Sequence, residues 1–139
     1  MTERQLVSSG APWEARVGYS RAVRVGDHLA IAGTTAVGDD GELVGRGDAF
    51  AQTRRCLEII AAALAEAGSC PEDVVRTRMY VTRIEDWEAV GRAHGEMFAS
   101  IRPASTLVGV ARLIDPEMLV EIEADAIIGS AGGKSARTS

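Results

Sequence analysis

The alternation of apolar and polar positions divides the chain into strands and helices. A period of two predicts five strands, at residues 18–25, 28–34, 74–82, 106–112 and 119–128. A period near 3.6 predicts two helices, at residues 48–67 and 84–99. Asp48 is expected to cap the first helix and Gly68 to end it. The order ββαβαββ predicts an α+β sandwich in which one mixed sheet carries both helices on one face.

The last predicted strand carries an acidic residue at every second position. Glu121, Glu123 and Asp125 share one face, and the other face is apolar. Three carboxylates on one face repel each other unless water or cations intervene. One interpretation is therefore a solvated outer face. The other is a face that meets a second surface, such as Arg76 and Arg78, and holds one carboxyl in a cleft with a raised pKa.

Composition and charge limit the class of partner. Hydrophobic residues make up 46% of the chain but aromatic residues only 4%, and alanine is the commonest hydrophobic residue. Small side chains bury little area each, so we expect the chain to associate with copies of itself. The net charge of −5 argues against nucleic acid as a partner, because phosphate binding needs a basic surface. No apolar stretch is long enough to span a membrane, so a membrane is not expected as a partner.

The sequence also predicts a compartment and a domain organisation. Cys56 and Cys70 form no disulfide framework, and no signal-peptide pattern is present, which predicts a cytoplasmic protein. The length fits one domain, which we expect over residues 1–128. Residues 129–139 are rich in glycine, serine and polar residues and are predicted to be a disordered tail.

Motifs for metals and common cofactors are missing from the sequence. His94 and the residues after it do not form the HExxH pattern of zinc sites, and His28 lies far from it in the chain. The Gly-Arg-Gly at 45–47 lacks the third glycine of the dinucleotide fingerprint. We therefore expect neither a metal nor a cofactor.

Several stretches resemble the Rid/YjgF family of reactive-intermediate deaminases. Residues 18–26, Gly-Tyr-Ser-Arg-Ala-Val-Arg-Val-Gly, are similar to the family's Tyr-Ser-Gln-Ala-Val opening. The closing signature is matched by Pro-Ala at 103–104, Val-Gly-Val-Ala-Arg-Leu at 108–113 and Val-Glu-Ile-Glu-Ala at 120–124. This resemblance implies a chorismate-mutase-like α+β fold and a homotrimer with clefts between subunits. It also implies hydrolysis of enamines or imines such as 2-aminoacrylate to a 2-oxo acid and ammonia.

The resemblance carries site residues over position by position. The pocket tyrosine of the family falls on Tyr19, which by pattern alone is an ordinary strand side chain. The family's glutamate, which is thought to position or activate water, falls on Glu121. The pocket loop falls on Gly33, Thr34 and Thr35, whose backbone amides and hydroxyls would hold an oxyanion.

The main departure from the family follows Pro-Ala at 103–104. Ser105 stands where active deaminases have an arginine that clamps the substrate carboxylate, and a hydroxyl offers one donor and no charge. Leu107 stands where the family often has cysteine or threonine, so the pocket is more apolar. We therefore expect little deamination of 2-imino acids. Arg16, in a segment with Trp13, is a hypothetical substitute anchor; the other interpretation is a surface loop with a packed tryptophan.

The residues and the resemblance together leave three functions open. The first is a homotrimer that binds a small metabolite in clefts between subunits and hydrolyses it, with Glu121 orienting or deprotonating water. The second is a non-catalytic trimer that senses a ligand or acts as a chaperone, because the chain has no strong nucleophile or metal motif. The third, an endoribonuclease or translation inhibitor, fits least with a net charge of −5 and no basic stripe.

Overall fold

The computed structural model describes residues 3–131, which build one six-stranded sheet and three helices. The strands are β1 (Arg4–Val7), β2 (Ala22–Val25), β3 (His28–Thr34), β4 (Val74–Val81), β5 (Ala104–Gly109) and β6 (Val120–Ile127). The helices are α1 (Pro12–Val17), α2 (Ala49–Glu66) and α3 (Trp87–Phe98). The strand order is β1-β2-β3-β6-β4-β5. Only β4 and β5 pair in parallel, so the sheet is mixed, as predicted.

The two long helices cover one face of the sheet. Helix α2 packs on β3 and β6, and α3 packs beside it. Large apolar side chains of both layers are fully buried between them, and these include Leu29, Ile60, Leu64, Phe98 and Ile122. The predicted α+β architecture is confirmed. The opposite face of the sheet is free of these helices and carries the polar side chains of β4 and β6.

Helix α2 begins and ends where its capping residues predict. The Asp48 carboxylate accepts a hydrogen bond of 3.0 Å from the Ala51 amide, which satisfies one free donor of the first turn. Gly68 has a φ of +86°, a left-handed conformation that glycine adopts without strain and that stops the helix. The second helix differs slightly from its prediction, because residues 84–86 form a 3-10 turn before α3.

The N-terminal segment is where the predicted elements are wrong. The strand predicted at 18–25 begins only at Ala22, because Gly18 caps helix α1 with a φ of +94° and turns the chain. Strand β1 and helix α1 were not predicted. Helix α1 has six residues and β1 has four, so neither is long enough to show a period. Near the other end, β5 spans Ala104–Gly109 rather than 106–112.

The structure describes the C-terminal residues only in part. Of the predicted tail at 129–139, the first residues contact Asp73. The Ser130 hydroxyl donates to its carbonyl at 3.4 Å, and the Ala131 amide donates to its carboxylate at 3.2 Å. Residues 132–139 lie outside the described residues. Within residues 3–131, no helix is long and apolar enough to cross a membrane.

A buried glutamine connects α2 to the loop that leads into β6. Gln52 has no exposed surface, and its amide makes three hydrogen bonds to the backbone. Its Nε2 donates to the carbonyls of Gly45 (3.1 Å) and Glu117 (3.0 Å), and its Oε1 accepts from the Leu119 amide (2.9 Å). Gln52 therefore fixes the start of β6. This strand carries Glu121, Glu123 and Asp125, which together form the acidic stripe.

We expect Gln52→Met to lower the free energy of unfolding by about 3 kcal/mol. Methionine has a similar volume but leaves buried backbone groups without partners. Urea denaturation measures the change, and Glu66→Met on the exposed side of the same helix is the control, expected within about 0.5 kcal/mol of wild type. Equal stability of the two variants would contradict the structural role of Gln52.

Candidate functional site

The centre of the site is the contact between Glu121 and Gly33. Strands β3 and β6 pair with a register shift between Ile31 and Thr34, so Gly33 lies in a β-bulge. The Glu121 carboxylate lies directly over the Gly33 backbone, and a β-carbon at position 33 would collide with it. Glycine at this position is therefore required for the carboxylate to reach its place. The structure brings these two predicted site residues together.

Arg21 joins this contact and was not among the predicted site residues. Its Nη2 donates a hydrogen bond of 2.6 Å to the Gly33 carbonyl. Its Nε is buried and has no hydrogen-bond partner within residues 3–131. A signal was present in the sequence, since Arg21 stands where the Tyr-Ser-Gln-Ala-Val opening has glutamine. The guanidinium holds the bulge and places a positive charge near Glu121.

One arginine pairs with two of the three carboxylates of the acidic stripe on β6. Arg78 Nη1 on β4 contacts the carboxylates of Glu123 (3.1 Å) and Asp125 (3.2 Å). Glu121 has no such ion pair among the described residues, and neither does Arg76. Two of the three carboxylates are thus paired with an arginine, as the second interpretation of the sequence requires. Glu121 is the third carboxylate, and it has no such pair among residues 3–131.

Burial and charge together raise the pKa of Glu121 above its ordinary value. Partial burial is the largest cause, because it disfavours the ionised form, and the neighbouring charge of Glu123 adds to it. The charge of Arg21 acts in the opposite direction and lowers the pKa. A carboxyl held in this way can release and recover a proton more readily near neutral pH than an exposed one.

Tyr19 lines an open cleft on the sheet face that lies away from the long helices. Helix α1 ends at Gly18, and the Tyr19 amide donates to the Glu14 carbonyl at 2.9 Å, which sets the tyrosine at the rim. The tyrosine is 39% exposed. Apolar and small residues of β1, β2 and β3 form much of the remaining lining, including Leu6, Val23, Ala30 and Ala32. Ala32 is the residue before Gly33, so the cleft extends to the residue next to the bulge, but neither Gly33 nor Glu121 lines it.

The other predicted residues of this region lie in different surroundings. Thr34 is fully buried, and its hydroxyl donates to the Ala32 carbonyl at 2.8 Å. Thr35 is half-buried, and its carbonyl accepts from the Val37 amide at 2.9 Å. The guanidinium of Arg16 lies over the ring of Trp13, 5.3 Å from its centre, and Arg16 does not line the cleft.

Ser105 and Leu107 lie on the opposite face of the sheet from Glu121. The parallel register sets Ser105 beside Thr77 and Leu107 beside Met79, and both β4 residues point into the core. Glu121 instead lies opposite Tyr80, on the face without the long helices. Strands β5 and β6 are also two strand spacings apart, about 10 Å. One chain therefore holds the predicted site as two separate groups.

The surroundings of the Glu121 carboxyl determine which chemistry it can perform. A half-buried carboxyl with a raised pKa, set against a glycine, can accept a proton from water and return it. Among residues 3–131, no group of three or more histidine, cysteine, aspartate or glutamate side chains is placed to hold a metal ion.

Comparisons with known proteins agree on one family. Residues 9–128 match the family described as Endoribonuclease L-PSP. The uncharacterized protein SCO2049 of Streptomyces coelicolor is 44% identical over 124 residues, covering 89% of this chain and 92% of that protein. The 3-aminoacrylate deaminase RutC of Acinetobacter baylyi is 32% identical over 104 residues, covering 75% and 82%. The crystal structure of Rv2704 from Mycobacterium tuberculosis, a member of the YjgF/YER057c/UK114 family, is 50% identical with a TM-score of 0.82, covering 91% and 100%.

We expect Glu121→Gln to be more stable than wild type at neutral pH. A carboxyl with a raised folded-state pKa binds its proton more tightly in the folded state than in the unfolded chain. Stability is therefore lost as the pH rises above the ordinary value of 4.5, and glutamine removes that loss.

The measurement is urea denaturation of both proteins at a series of pH values. The gain should be present at about pH 7 and fade toward about pH 4. Glu66→Gln, which alters an exposed carboxyl of α2, is the matched control. A gain that grows as the pH falls would show that the pKa of Glu121 is lowered instead.

Proposed function

Because this chain belongs to the Rid/YjgF family, we propose that it binds a small imine, enamine or related metabolite in clefts between the subunits of a homotrimer and hydrolyses it. Its fold is the chorismate-mutase-like α+β fold of that family. One observation carries the proposal, namely the half-buried Glu121 carboxylate held over Gly33, the residue that follows Ala32 of the Tyr19 cleft.

Glu121 would act as the proton-transfer group. In its ionised form it takes a proton from water as the water oxygen bonds to the imine carbon, and the electron pair of the C=N bond moves to nitrogen. The proton held by the carboxyl then passes to that nitrogen. The carboxylate next takes the proton of the new hydroxyl group and passes it to the same nitrogen, so that the C–N bond breaks, ammonia leaves and a carbonyl remains. The raised pKa supports this role, because a weaker acid is a better base for water.

Two copies of the chain would be needed to complete the cleft. Glu121 and Ser105 project from opposite faces of one sheet, so a single chain cannot present both to one small molecule. Strand β5 is an edge strand, and five of its six residues are exposed. Such an edge favours coverage by another subunit. A cyclic trimer would set the β5 group of one chain against the Glu121 group of the next.

The chemistry of a relative supports an enamine or imine as substrate. RutC of Acinetobacter baylyi is a 3-aminoacrylate deaminase, and its substrate is an enamine that carries a carboxylate. In the present chain Ser105 has no charge to hold a carboxylate, and losing such an anchor costs about 2–5 kcal/mol. The substrate of this chain would therefore differ from 2-aminoacrylate in the group that reaches position 105.

We expect Ser105→Arg to raise the rate of 2-aminoacrylate hydrolysis at least about tenfold, because arginine restores a charged bidentate partner for the carboxylate. Ammonia release from freshly generated 2-aminoacrylate is measured against the uncatalysed background, which we expect wild type to exceed little. Thr106→Arg adds the same charge on the other face of β5 and is the matched control.

Equal rates for the two arginine variants would contradict the assignment of position 105 to the substrate. If Ser105→Arg shows no turnover and Glu121→Gln leaves ligand binding unchanged, the results favour the second function, a non-catalytic trimer that senses a ligand or acts as a chaperone.

A further inference from the structure

Three side chains form a continuous hydrogen-bonded chain at the β4–β5 edge. Thr77 Oγ1 lies 2.8 Å from Ser105 Oγ and 2.9 Å from Nε2 of His94 on α3. Thr77 is fully buried, whereas Ser105 is exposed. The His94 ring also packs against Phe98, with 4.6 Å between ring centres and a tilt of 39° between the ring planes. The chain therefore runs from a packed imidazole through a buried hydroxyl to an exposed one.

The middle hydroxyl carries a single proton, so this chain has two arrangements. In the first, His94 Nε2–H donates to Thr77, Thr77 donates to Ser105, and the Ser105 hydroxyl is free to donate to a ligand. In the second, Ser105 donates to Thr77, Thr77 donates to a bare His94 Nε2, and the Ser105 oxygen is free to accept. A change of tautomer at His94 thus converts Ser105 from a donor into an acceptor.

The electrostatics favour a neutral ligand group at Ser105. Burial lowers the pKa of His94 below its ordinary value, so the neutral ring, which permits both arrangements, is favoured at neutral pH. An amide can use either arrangement, since its oxygen accepts and its nitrogen donates, and a carbonyl can use the first, in which Ser105 donates. A carboxylate would exchange its hydration for one neutral hydrogen bond, which is unfavourable.

We propose that Ser105, Thr77 and His94 form a relay that recognises a neutral carbonyl or amide group of the substrate. Ser105 makes the contact, and Thr77 and His94 are positioning residues that set whether it donates or accepts. The inference rests on the proposed function, because it takes Ser105 to line the cleft. The substrate class becomes imines or enamines with a neutral polar group where 2-aminoacrylate has a carboxylate.

The first arm of the test needs no ligand. Nitrogen-15 NMR of the His94 ring near neutral pH reports its tautomer ratio in wild type, Ser105→Ala and Thr77→Val. The relay predicts that Ser105→Ala changes the ratio although no hydrogen bond joins Ser105 to His94, and that the same change has no effect in a Thr77→Val background. A His94 spectrum that does not respond to Ser105→Ala overturns the relay.

The second arm measures binding of two probes, pyruvamide and pyruvate, by calorimetry. We expect wild type to bind pyruvamide at least about fivefold more tightly, and Ser105→Arg to reverse the preference. Ser105→Ala and Thr77→Val should each weaken pyruvamide binding about fivefold, the value of one hydrogen bond. Thr77→Ser, which keeps the hydroxyl and loses a methyl group, should recover most of what Thr77→Val loses; if Thr77 only packs, valine should be the better replacement.

The outcomes separate the relay from the proposed function. Pyruvate binding as tightly as pyruvamide to wild type overturns the proposed substrate class. If neither probe binds any variant while His94 still responds to Ser105→Ala, the coupling between Ser105 and His94 holds, whereas binding of a substrate at Ser105, and with it the proposed function, fails.

Discussion

The candidate site depends on a constraint of β-structure, namely that side chains alternate between the two faces of a sheet and cannot change face. In β6 this alternation buries Val120 and Ile122 under the helices and turns Glu121 to the other side. In β5 it turns Ser105 toward Thr77 and His94 on the helix side. The candidate site is therefore divided between the two faces, and the proposed association of copies would bring its two groups together.

The placement of Glu121 shows how the fold supports an unfavourable group. A half-buried carboxyl with a raised pKa costs stability when ionised, and the surroundings offset only part of that cost. Gly33 leaves room for the carboxylate, and Arg21 fixes the bulge while adding a positive charge nearby. Gln52 holds the loop before β6 from the core side. Contacts elsewhere thus maintain the position of this carboxylate.

Periodicity predicts the long elements well and the short ones poorly. Helix α2 has whole periods and a capping aspartate, and strand β3 has whole periods, so the bounds of both follow from the sequence. Strand β1 and helix α1 have too few residues for a period. The face occupied by Glu121 follows from alternation alone. The Arg21–Gly33 bond and the Ser105–Thr77–His94 chain do not, because they depend on a bulge and on helix packing that no local pattern encodes.

The most direct test of a site shared between copies is to mix two chains that are each expected to have little activity on 2-aminoacrylate. One chain is wild type, with Glu121 but no arginine at 105, and the other carries both Ser105→Arg and Glu121→Gln. Unfolded together in equal amounts and refolded, a cyclic trimer should show about one quarter of the 2-aminoacrylate activity of Ser105→Arg, because random assembly joins an intact half from each chain in one cleft of four. Activity no greater than that of the separate chains would contradict a cleft formed between subunits.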